Sequence, residues 1–564
     1  MPMFCFQCQE TLRNEGCTQY GMCGKPGTCS NLMDVLIYSL RGLALAVEIS
    51  NAPIPENVPP HIIYSLFTTI TNSCFDELKI ESLIRKTLIL RNEIIRQHEE
   101  TFVEYPDDIL FWNARSRKEF LAKSPQASPL IVHDTDIRSL RELLTFGMKG
   151  ISAYAWHAMR LGFEDDEISR FLIRGLAETA PMVKYDTGAL LAMIKECGNT
   201  ALTAMKILNE AHTHHFGIPR PATVSTQTGK RPGILVTGHD FKDLEDLLAQ
   251  SAGQGIDIYT HGEMLPAHAY PNLKKYPHLI ANYGGAWWRQ NHDFRSFNGP
   301  VLVTSNCLAP VHKDYKNRIF TTGPAGWPGL RHIPEPQPGK MKNFSEIIQL
   351  AKTLPPPQPP YAPTNTAEPK EIVTGCGLIQ LSEFSDDVIS GLKSGEIENI
   401  FVIAGCDGRH INRRFYEEFA EKITKKSIIL TAGCQKYRLN KKDYGKIGNL
   451  PRLLDAGQCG DIWVIMDFLL KITEKMNLPS INDLPLNVHF AWLEQKSTAI
   501  LLALLAAGIK NITLGPTYPA FFSPNIIRFL KENYGLKKFQ NPEIELRNLE
   551  PEVQITINLE EILL

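Results

Sequence analysis

Six times in this chain a short apolar, β-branched run ends on a residue able to hold a soft metal. Gly233-Ile-Leu-Val-Thr-Gly leads to His239, and Ile256-Asp-Ile-Tyr-Thr-His-Gly leads to Glu263. Val301-Leu-Val-Thr-Ser-Asn ends at Cys307, and Ile400-Phe-Val-Ile-Ala-Gly ends at Cys406. Ser427-Ile-Ile-Leu-Thr-Ala-Gly ends at Cys434, and Asn487-Val-His-Phe-Ala-Trp-Leu ends at Glu494. Runs of this makeup, bounded by Gly or Asn, read as buried strands of parallel sheets. Ligands of open α/β sheets sit at the carboxyl ends of the strands. Six donors at that address point to one metal site assembled from distant segments. Lys496, two residues past Glu494, shares its face if the chain is extended there. Taken singly, each Cys reads as core and each Glu as a solvated loop residue. The repetition of the pattern is what argues for metal. Thiolates prefer soft iron–sulfur coordination and carboxylates harder iron, so a mixed set suits a centre with both characters.

A second group of thiols opens the chain. Cys5, Cys8, Cys17 and Cys23 follow a C-x2-C-x8-C-x5-C spacing, compact enough for four thiolates to wrap one centre. An iron–sulfur cluster, a structural zinc and a redox dithiol all remain open on spacing alone. Cys29 reads as a small buried hydrophobe.

The elements that must position these residues fall into three blocks. Helical periodicity predicts helices over 34–47, 80–98, 137–160, 165–179 and 187–211, with Asp or Thr caps. Residues 1–220 therefore read as a helical-bundle domain. The segment from Phe216 to Gly233 breaks the pattern, and strand-like and helix-like segments alternate from there. The proline run after Leu354 marks another break. The fold class expected is α plus α/β: a helical domain (1–220), then two Rossmann-like α/β domains (221–365 and 366–564) with the active site between them. Cys459 lies in a loop-like stretch outside the strand-end rule.

Bulk composition narrows the function classes. With 43% hydrophobic residues in 564, the chain has ample material for several cores. Fifty-nine basic against 61 acidic residues, a net charge of -2, argues against nonspecific nucleic-acid or anionic-membrane binding. No apolar stretch reaches the roughly 18 residues of a membrane span. The first residues lack a basic and an apolar region, so no secretory signal is expected. Twelve cysteines in a cytoplasmic setting point to metal or redox chemistry rather than crosslinks.

The chain resembles the hybrid cluster proteins, also called prismane proteins or hydroxylamine reductases. The resemblance rests on Phe4-Cys-Phe-Gln-Cys8, Gly238-His-Asp, Thr260-His-Gly-Glu-Met-Leu-Pro266, Asn282-Tyr-Gly and Ala286-Trp-Trp288. It continues through Asn306-Cys307, Gly405-Cys-Asp-Gly408, Gly433-Cys434, Pro451-Arg-Leu-Leu-Asp455, Gly457-Gln-Cys459, Glu494-Gln-Lys496 and Leu514-Gly-Pro-Thr. It implies a [4Fe–4S] cluster on Cys5, Cys8, Cys17 and Cys23, as in the family's short-spaced type. It implies a hybrid [4Fe–2O–2S] cluster on His239, Glu263, Cys307, Cys406, Cys434, Cys459 and Glu494. Cys406 matches a position that can carry a persulfide, and Lys496 a lysine that donates protons or positions substrate. The resemblance thus places catalysis on Glu494, Lys496, Cys406 and Glu263. The family pattern has an aromatic residue where this chain has Leu493, which bears on a nearby hydrogen bond or electron route.

The implied activity is reduction of hydroxylamine to ammonia, with nitric oxide reduction and nitroso transfer to protein thiols as further family activities. Gly323-Pro-Ala-Gly-Trp-Pro-Gly lacks the setting of a phosphate loop, so electrons are expected from an external reductase or ferredoxin. Competing readings are a nickel-containing carbon monoxide dehydrogenase relative and a non-enzymatic electron carrier or NO sensor. The tract Ala211-His-Thr-His-His-Phe-Gly217 reads as a capped helix end rather than a metal site. His261 and His268 are candidate proton carriers, Trp287 and Trp288 packing residues, and Cys74 and Cys197 core residues in helices. Cys376 has no matching family role.

Overall fold

The computed structural model describes residues 2–181, 183–337, 339–360 and 369–547. Its N-terminal third is helical, with principal helices α1 (Gly27–Ser50), α2 (Val58–Thr68), α3 (Glu77–Gln97), α4 (Arg117–Ala127), α5 (Thr135–Met159), α6 (Asp166–Glu178) and α7 (Thr187–Phe216). Aspartates supply caps where the sequence places them: Asp165 accepts from the Ile168 amide and Asp186 from the Ala189 amide. Helix α2 escapes sequence reading because Pro59 and Pro60 look like breakers. Both sit in the first turn, where the missing N–H has no intrahelical partner to lose. Helix α7 runs five residues past its predicted end and stops at Gly217, whose φ is 86°. Cys197 is buried in α7, whereas Cys74 lies outside any helix, in a loop bridged to Gly326.

Two six-stranded parallel sheets follow. The first contains β1 (Gly233–Thr237), β2 (Asp257–Thr260), β3 (Leu279–Asn282), β4 (Val301–Val303), β5 (Ile319–Thr322) and β6 (Arg331–Ile333). The second contains β7 (Asn399–Gly405), β8 (Ser427–Thr431), β9 (Leu453–Asp455), β10 (Leu486–Ala491), β11 (Thr513–Gly515) and β12 (Lys537–Lys538). Their spatial orders are β3-β2-β1-β4-β5-β6 and β9-β8-β7-β10-β11-β12. Each is the doubly wound order, whose switch point opens a crevice between the first and fourth strands. The predicted helical and Rossmann-like α/β architecture is thus present. Strand Ala222–Ser225 pairs antiparallel with Glu371–Thr374, tying the entry of one sheet region to the entry of the other. The expected boundary at residue 365 lies outside the described residues.

A helix of the second sheet region, α8 (Gln495–Ala506), is apolar after its polar first turn and lies in the helical core against α5 and α7. One continuous hydrophobic core therefore joins the helical third to the second sheet, while the first sheet has cores on its own two faces.

His212 of α7 is buried at the seam with the first sheet, its ring 4.8 Å from Phe241 and 6.1 Å from Tyr270. Burial, with the nearby His157 charge second, pushes its imidazole down to about 3. A base depressed on folding contributes full stability above its unfolded pKa near 6.5 and loses it as pH falls toward 3. His212→Phe is expected to weaken the acid sensitivity of urea unfolding between pH 7 and 5 by about 2 kcal/mol. Equal acid sensitivity in both proteins would show that His212 is not buried neutral.

Candidate metal centres

All six strand-end runs are strands, and the residues after them converge. Gly405 and Gly433, immediately before Cys406 and Cys434, have φ values of 110° and 82°. A Cβ on Gly405 would lie 2.2 Å from the Ala491 carbonyl, and one on Gly433 2.4 Å from the Gly405 carbonyl. Glycine is therefore required for the chain to turn each thiol out of the sheet. Cys307 itself adopts φ 77°, rare for a residue with a side chain. Such strain marks functional sites when the surroundings hold it. Here Gln290 holds it, donating to the Cys307 carbonyl at 2.7 Å and accepting from the Ala309 amide at 2.9 Å.

The tightest convergence is His239, Glu263 and Cys459, whose donor atoms all lie within 4.8 Å of one another. The Cys459 amide donates to Glu263 Oε2 at 2.8 Å, and Glu263 Oε1 is buried without a hydrogen-bond partner. Gln458 Nε2 donates to the carbonyls of His239 (3.0 Å) and Glu263 (2.8 Å), clamping the first sheet's loops to the second's. Tyr154 of α5 donates to Cys459 Sγ at 3.8 Å. Cys459 does follow a strand after all. β9 is only three residues long and starts just after Pro451, too little for periodicity to reveal.

Lys496 organises the other side. Its Nζ donates to His239 Nε2 at 2.7 Å and to Asn306 Oδ1 at 2.9 Å, and lies 3.9 Å from Glu494 Oε1. Asn306 Nδ2 donates in turn to Cys307 Sγ and Glu494 Oε1, both at 3.4 Å. Glu494 and Lys496 do not lie on an extended segment, as the two-residue spacing suggested. Glu494 caps α8, its Oε2 accepting from the Lys496 amide at 2.9 Å, and Lys496 sits in the first turn. The lysine's long stem brings its ammonium back to the carboxylate.

Electrostatics follow from this burial. Burial alone would lower the Lys496 ammonium, but its neighbours Cys459, Glu494, Cys307 and Glu263 outweigh it and hold the group above the usual lysine range. Burial and Lys496 push His239 well below its usual range, leaving a neutral imidazole, the form that binds metals. Burial pushes the Cys459 thiol up to about 12 and raises Cys307, Cys406 and Cys434 as well. Thiols this deep ionise only against a strong local cation. The unpartnered Glu263 oxygen, the neutral His239 and the buried thiols fit a multinuclear centre of mixed sulfur, nitrogen and oxygen ligation.

The N-terminal thiols form a separate group. Cys5 and Cys17 exchange backbone hydrogen bonds of 3.0 and 2.8 Å, folding the loop on itself. Cys8 and Cys17 are buried, whereas Cys5 and Cys23 are partly exposed. The loop is strapped to the other group: the Gln9 amide donates to the Leu493 carbonyl at 2.9 Å, and Gln495 Nε2 to the Gln7 carbonyl at 2.6 Å. Leu493 thus links the two groups through its backbone, and its buried side chain packs with Trp287 and Cys434.

Other expected residues take structural places. His261 bonds Thr237 (3.1 Å) and Asp293 (3.3 Å), and His268 bonds Thr260 at 3.0 Å. Trp287 and Trp288 donate to the carbonyl and carboxylate of Asp407 across the two sheet regions, each at 2.8 Å. In the histidine tract, His215 pairs with Glu245 at 2.8 Å. Cys376 is buried, its amide on the Asp455 carbonyl at 2.7 Å. Sequence reasoning assigned no role to Gln458, Ser305, which meets His239 Nδ1 at 2.9 Å, or Tyr154. Gln458 and Tyr154 are revealed by contacts across domains and Ser305 by one between two strand ends of the first sheet.

Comparison with known proteins identifies the family and the fold. A family model described as Prismane/CO dehydrogenase family matches residues 3–546. The hydroxylamine reductase of Desulfitobacterium hafniense (strain Y51) is 45% identical over 543 residues, 95% of this chain and 97% of that protein. The hydroxylamine reductase of Chlorobaculum tepidum is 45% identical over 545 residues, 96% and 99% of the two chains. Among solved structures, carbon monoxide dehydrogenase IV from Carboxydothermus hydrogenoformans aligns with a TM-score of 0.53 at 16% identity, covering 96% of this chain and 91% of that one. That likeness is one of fold.

The seat of α8 offers a direct test. A Cβ on Gly150 of α5 would lie 2.3 Å from the Gln495 carbonyl. Gly→Ala within an open helix stabilises by about 0.5–1 kcal/mol, whereas overpacking costs about 1–3 kcal/mol. Gly150→Ala is therefore expected to lower the melting temperature. An unchanged or raised melting temperature would show that α8, and Glu494 with it, is not seated on α5.

Proposed function

The chain belongs to the Prismane/CO dehydrogenase family, and from that membership we propose that it is an iron–sulfur oxidoreductase that reduces hydroxylamine to ammonia and water. The observation that carries this reading is the buried ammonium of Lys496, set among the mixed donors that converge from two sheets. In this reading Cys5, Cys8, Cys17 and Cys23 hold a [4Fe–4S] cluster. His239, Glu263, Cys307, Cys406, Cys434, Cys459 and Glu494 hold a hybrid [4Fe–2O–2S] cluster. When bound, the hybrid centre supplies an open coordination position for the substrate and the electrons that cleave its N–O bond.

The protein's own residues supply position and protons. The reaction NH2OH + 2e⁻ + 2H⁺ → NH3 + H2O needs a proton on the departing oxygen. Lys496 is charged at neutral pH, and Asn306 Oδ1 fixes the direction of its Nζ. A departing hydroxide, conjugate to water of pKa about 15.7, is more basic than the lysine amine, so transfer from Nζ is favourable. Ser305 fixes the His239 ring through Nδ1, so that Nε2, which accepts from Lys496 Nζ and lies 4.0 Å from Glu263 Oε2, is the atom that would ligate the centre. Gln458 and Tyr154 hold Glu263 and Cys459 in register without reacting.

The reading extends to nitric oxide as a second substrate of the same site and, through it, to nitroso transfer onto protein thiols. Electrons come from an external protein donor, because no nucleotide-binding motif is present in the sequence. A reducing, cytoplasmic setting is supported by twelve unpaired cysteines. Among the described residues no helix is long and apolar enough to cross a membrane.

Glu494→Gln keeps the shape of the side chain but removes its charge. Anaerobically purified variant is expected to lose the hybrid EPR signal and most of its iron beyond four atoms per chain, while the cubane signal persists. Loss of both signals would mean that the two groups of donors are not two sites. Lys496→Met is expected to keep both signals and to lower dye-driven hydroxylamine reduction by about 10²–10⁴-fold. Wild-type protein that binds NO but turns over neither substrate would support the sensor reading instead.

A further inference from the structure

One buried side chain is bonded toward both groups of donors at once. Arg413 ends the short turn Ile411–Arg413 after β7 and is fully buried. Its Nη1 donates to the Cys406 carbonyl at 2.8 Å, and its Nη2 donates to Gln9 Oε1 at 3.0 Å and to the Trp492 carbonyl at 2.6 Å. Cys406 belongs to the interior set, Gln9 follows Cys8 of the N-terminal set, and Trp492 lies two residues before Glu494. The Gln9 amide on the Leu493 carbonyl closes the same knot from the other side.

All three acceptors are neutral. Among the described residues no carboxylate forms an ion pair with Arg413, and the two acids in its surroundings are already engaged, Glu10 by Arg409 and Asp407 by Arg438 and Trp288. Arg409, Arg413 and Arg438 thus face only Glu10 and Asp407, and the cation left over is the fully buried one. Around the turn, Arg414, Glu418 and Lys538 are exposed, so solvent screens them, and Glu417 faces Lys442 at 3.5 Å. A buried charge held only by neutral acceptors is costly unless a negative group lies near. A cluster on four thiolates is such a group, and so is a centre ligated by thiolates and carboxylates. Net charge and hydrogen bonding are among the quantities that set the potential of an iron–sulfur cluster. A guanidinium does not deprotonate in a protein, so the charge at Arg413 is fixed.

We propose that Arg413 is a shared electrostatic control for the two centres, its one fixed charge raising the reduction potential of both. The proposal rests on the reading that two clusters occupy these donors. An added electron is stabilised by the same cation whichever centre holds it. When the reduced N-terminal cluster loses one electron, the hybrid centre gains it, and Arg413 exchanges no proton in the step. Arg413 is a positioning residue in this sense: it touches no substrate and acts through the potentials.

The test is an EPR-monitored redox titration of the anaerobically purified holoprotein and its variants. Arg413→Met removes the charge and keeps much of the stem. At a fixed applied potential it is expected to lower the reduced-to-oxidised ratio of each centre about tenfold or more, about 59 mV per tenfold for a one-electron couple. Arg413→Lys keeps the charge but loses the planar fork, and both ratios should stay within about twofold of wild type. Unmoved midpoints in Arg413→Met, or a fall at one centre alone, would overturn the shared control. So would a fall in Arg413→Lys as large as that in Arg413→Met, which would assign the effect to the hydrogen bonds rather than the charge. Should Arg413→Met fail to load iron, Arg413→Lys decides: iron and midpoints restored by the lysine support the charge, and their loss overturns it. Wild-type protein with iron in only one of the two groups would overturn the two-centre reading, and the proposal with it.

Discussion

One ammonium group, wholly buried, faces every kind of donor in the interior site. Lys496 Nζ reaches His239 and Asn306 by hydrogen bonds and Glu494 by charge. Its ordinary partner in a protein interior would be a single carboxylate, because an unpaired buried charge costs several kcal/mol. Here the surrounding carboxylates and thiols outnumber it, and Glu263 Oε1 lacks any hydrogen bond. The other buried ammonium near Glu263, Lys436, is engaged by Asp455 at 2.8 Å, so the potential anions around Lys496 are not balanced by protein groups alone. The donors are arranged for further positive charge, which the proposed cluster supplies.

The architecture serves this convergence through two sheets of the same strand order. In each, the first, second and fourth strands end on a donor: His239, Glu263 and Cys307 in one, Cys406, Cys434 and Glu494 in the other. The third strand of the second sheet adds Cys459. The loops beyond the strand ends of the two sheets are fixed to one another by Gln458, by the Trp287 and Trp288 bonds to Asp407, and by Tyr437 Oη donating to the Gly262 carbonyl at 2.8 Å. The helical third has a different duty. Its glycines let α8 approach closely, so the turn carrying Glu494 and Lys496 is set by helix packing as well as by the sheet. The helical third also contributes Tyr154.

Much of this was legible in the sequence because buried parallel strands write themselves as continuous apolar runs. His239, Glu263, Cys307, Cys406, Cys434 and Glu494 were visible as the residues that interrupt such runs. The two Rossmann-like units were read as well, but not the correspondence between their strand ends, because equivalent ends carry different residue types, His239 against Cys406 and Cys307 against Glu494. Cys459 was hidden behind a three-residue strand, and α2 behind two prolines that its first turn tolerates. Gln458, Ser305 and Tyr154 carry no local signature. Their roles exist only where segments more than sixty residues apart meet.

The proposed function requires two distinct iron centres on the two named sets of side chains. It is tested most directly by an anomalous-difference map at the iron edge from anaerobically grown crystals. Two separate multi-iron peaks are expected, one bonded to Cys5, Cys8, Cys17 and Cys23. The other should touch His239, Glu263, Glu494 and the four interior cysteines, Cys307, Cys406, Cys434 and Cys459. A single peak, or a nickel signal among the interior donors, would contradict it.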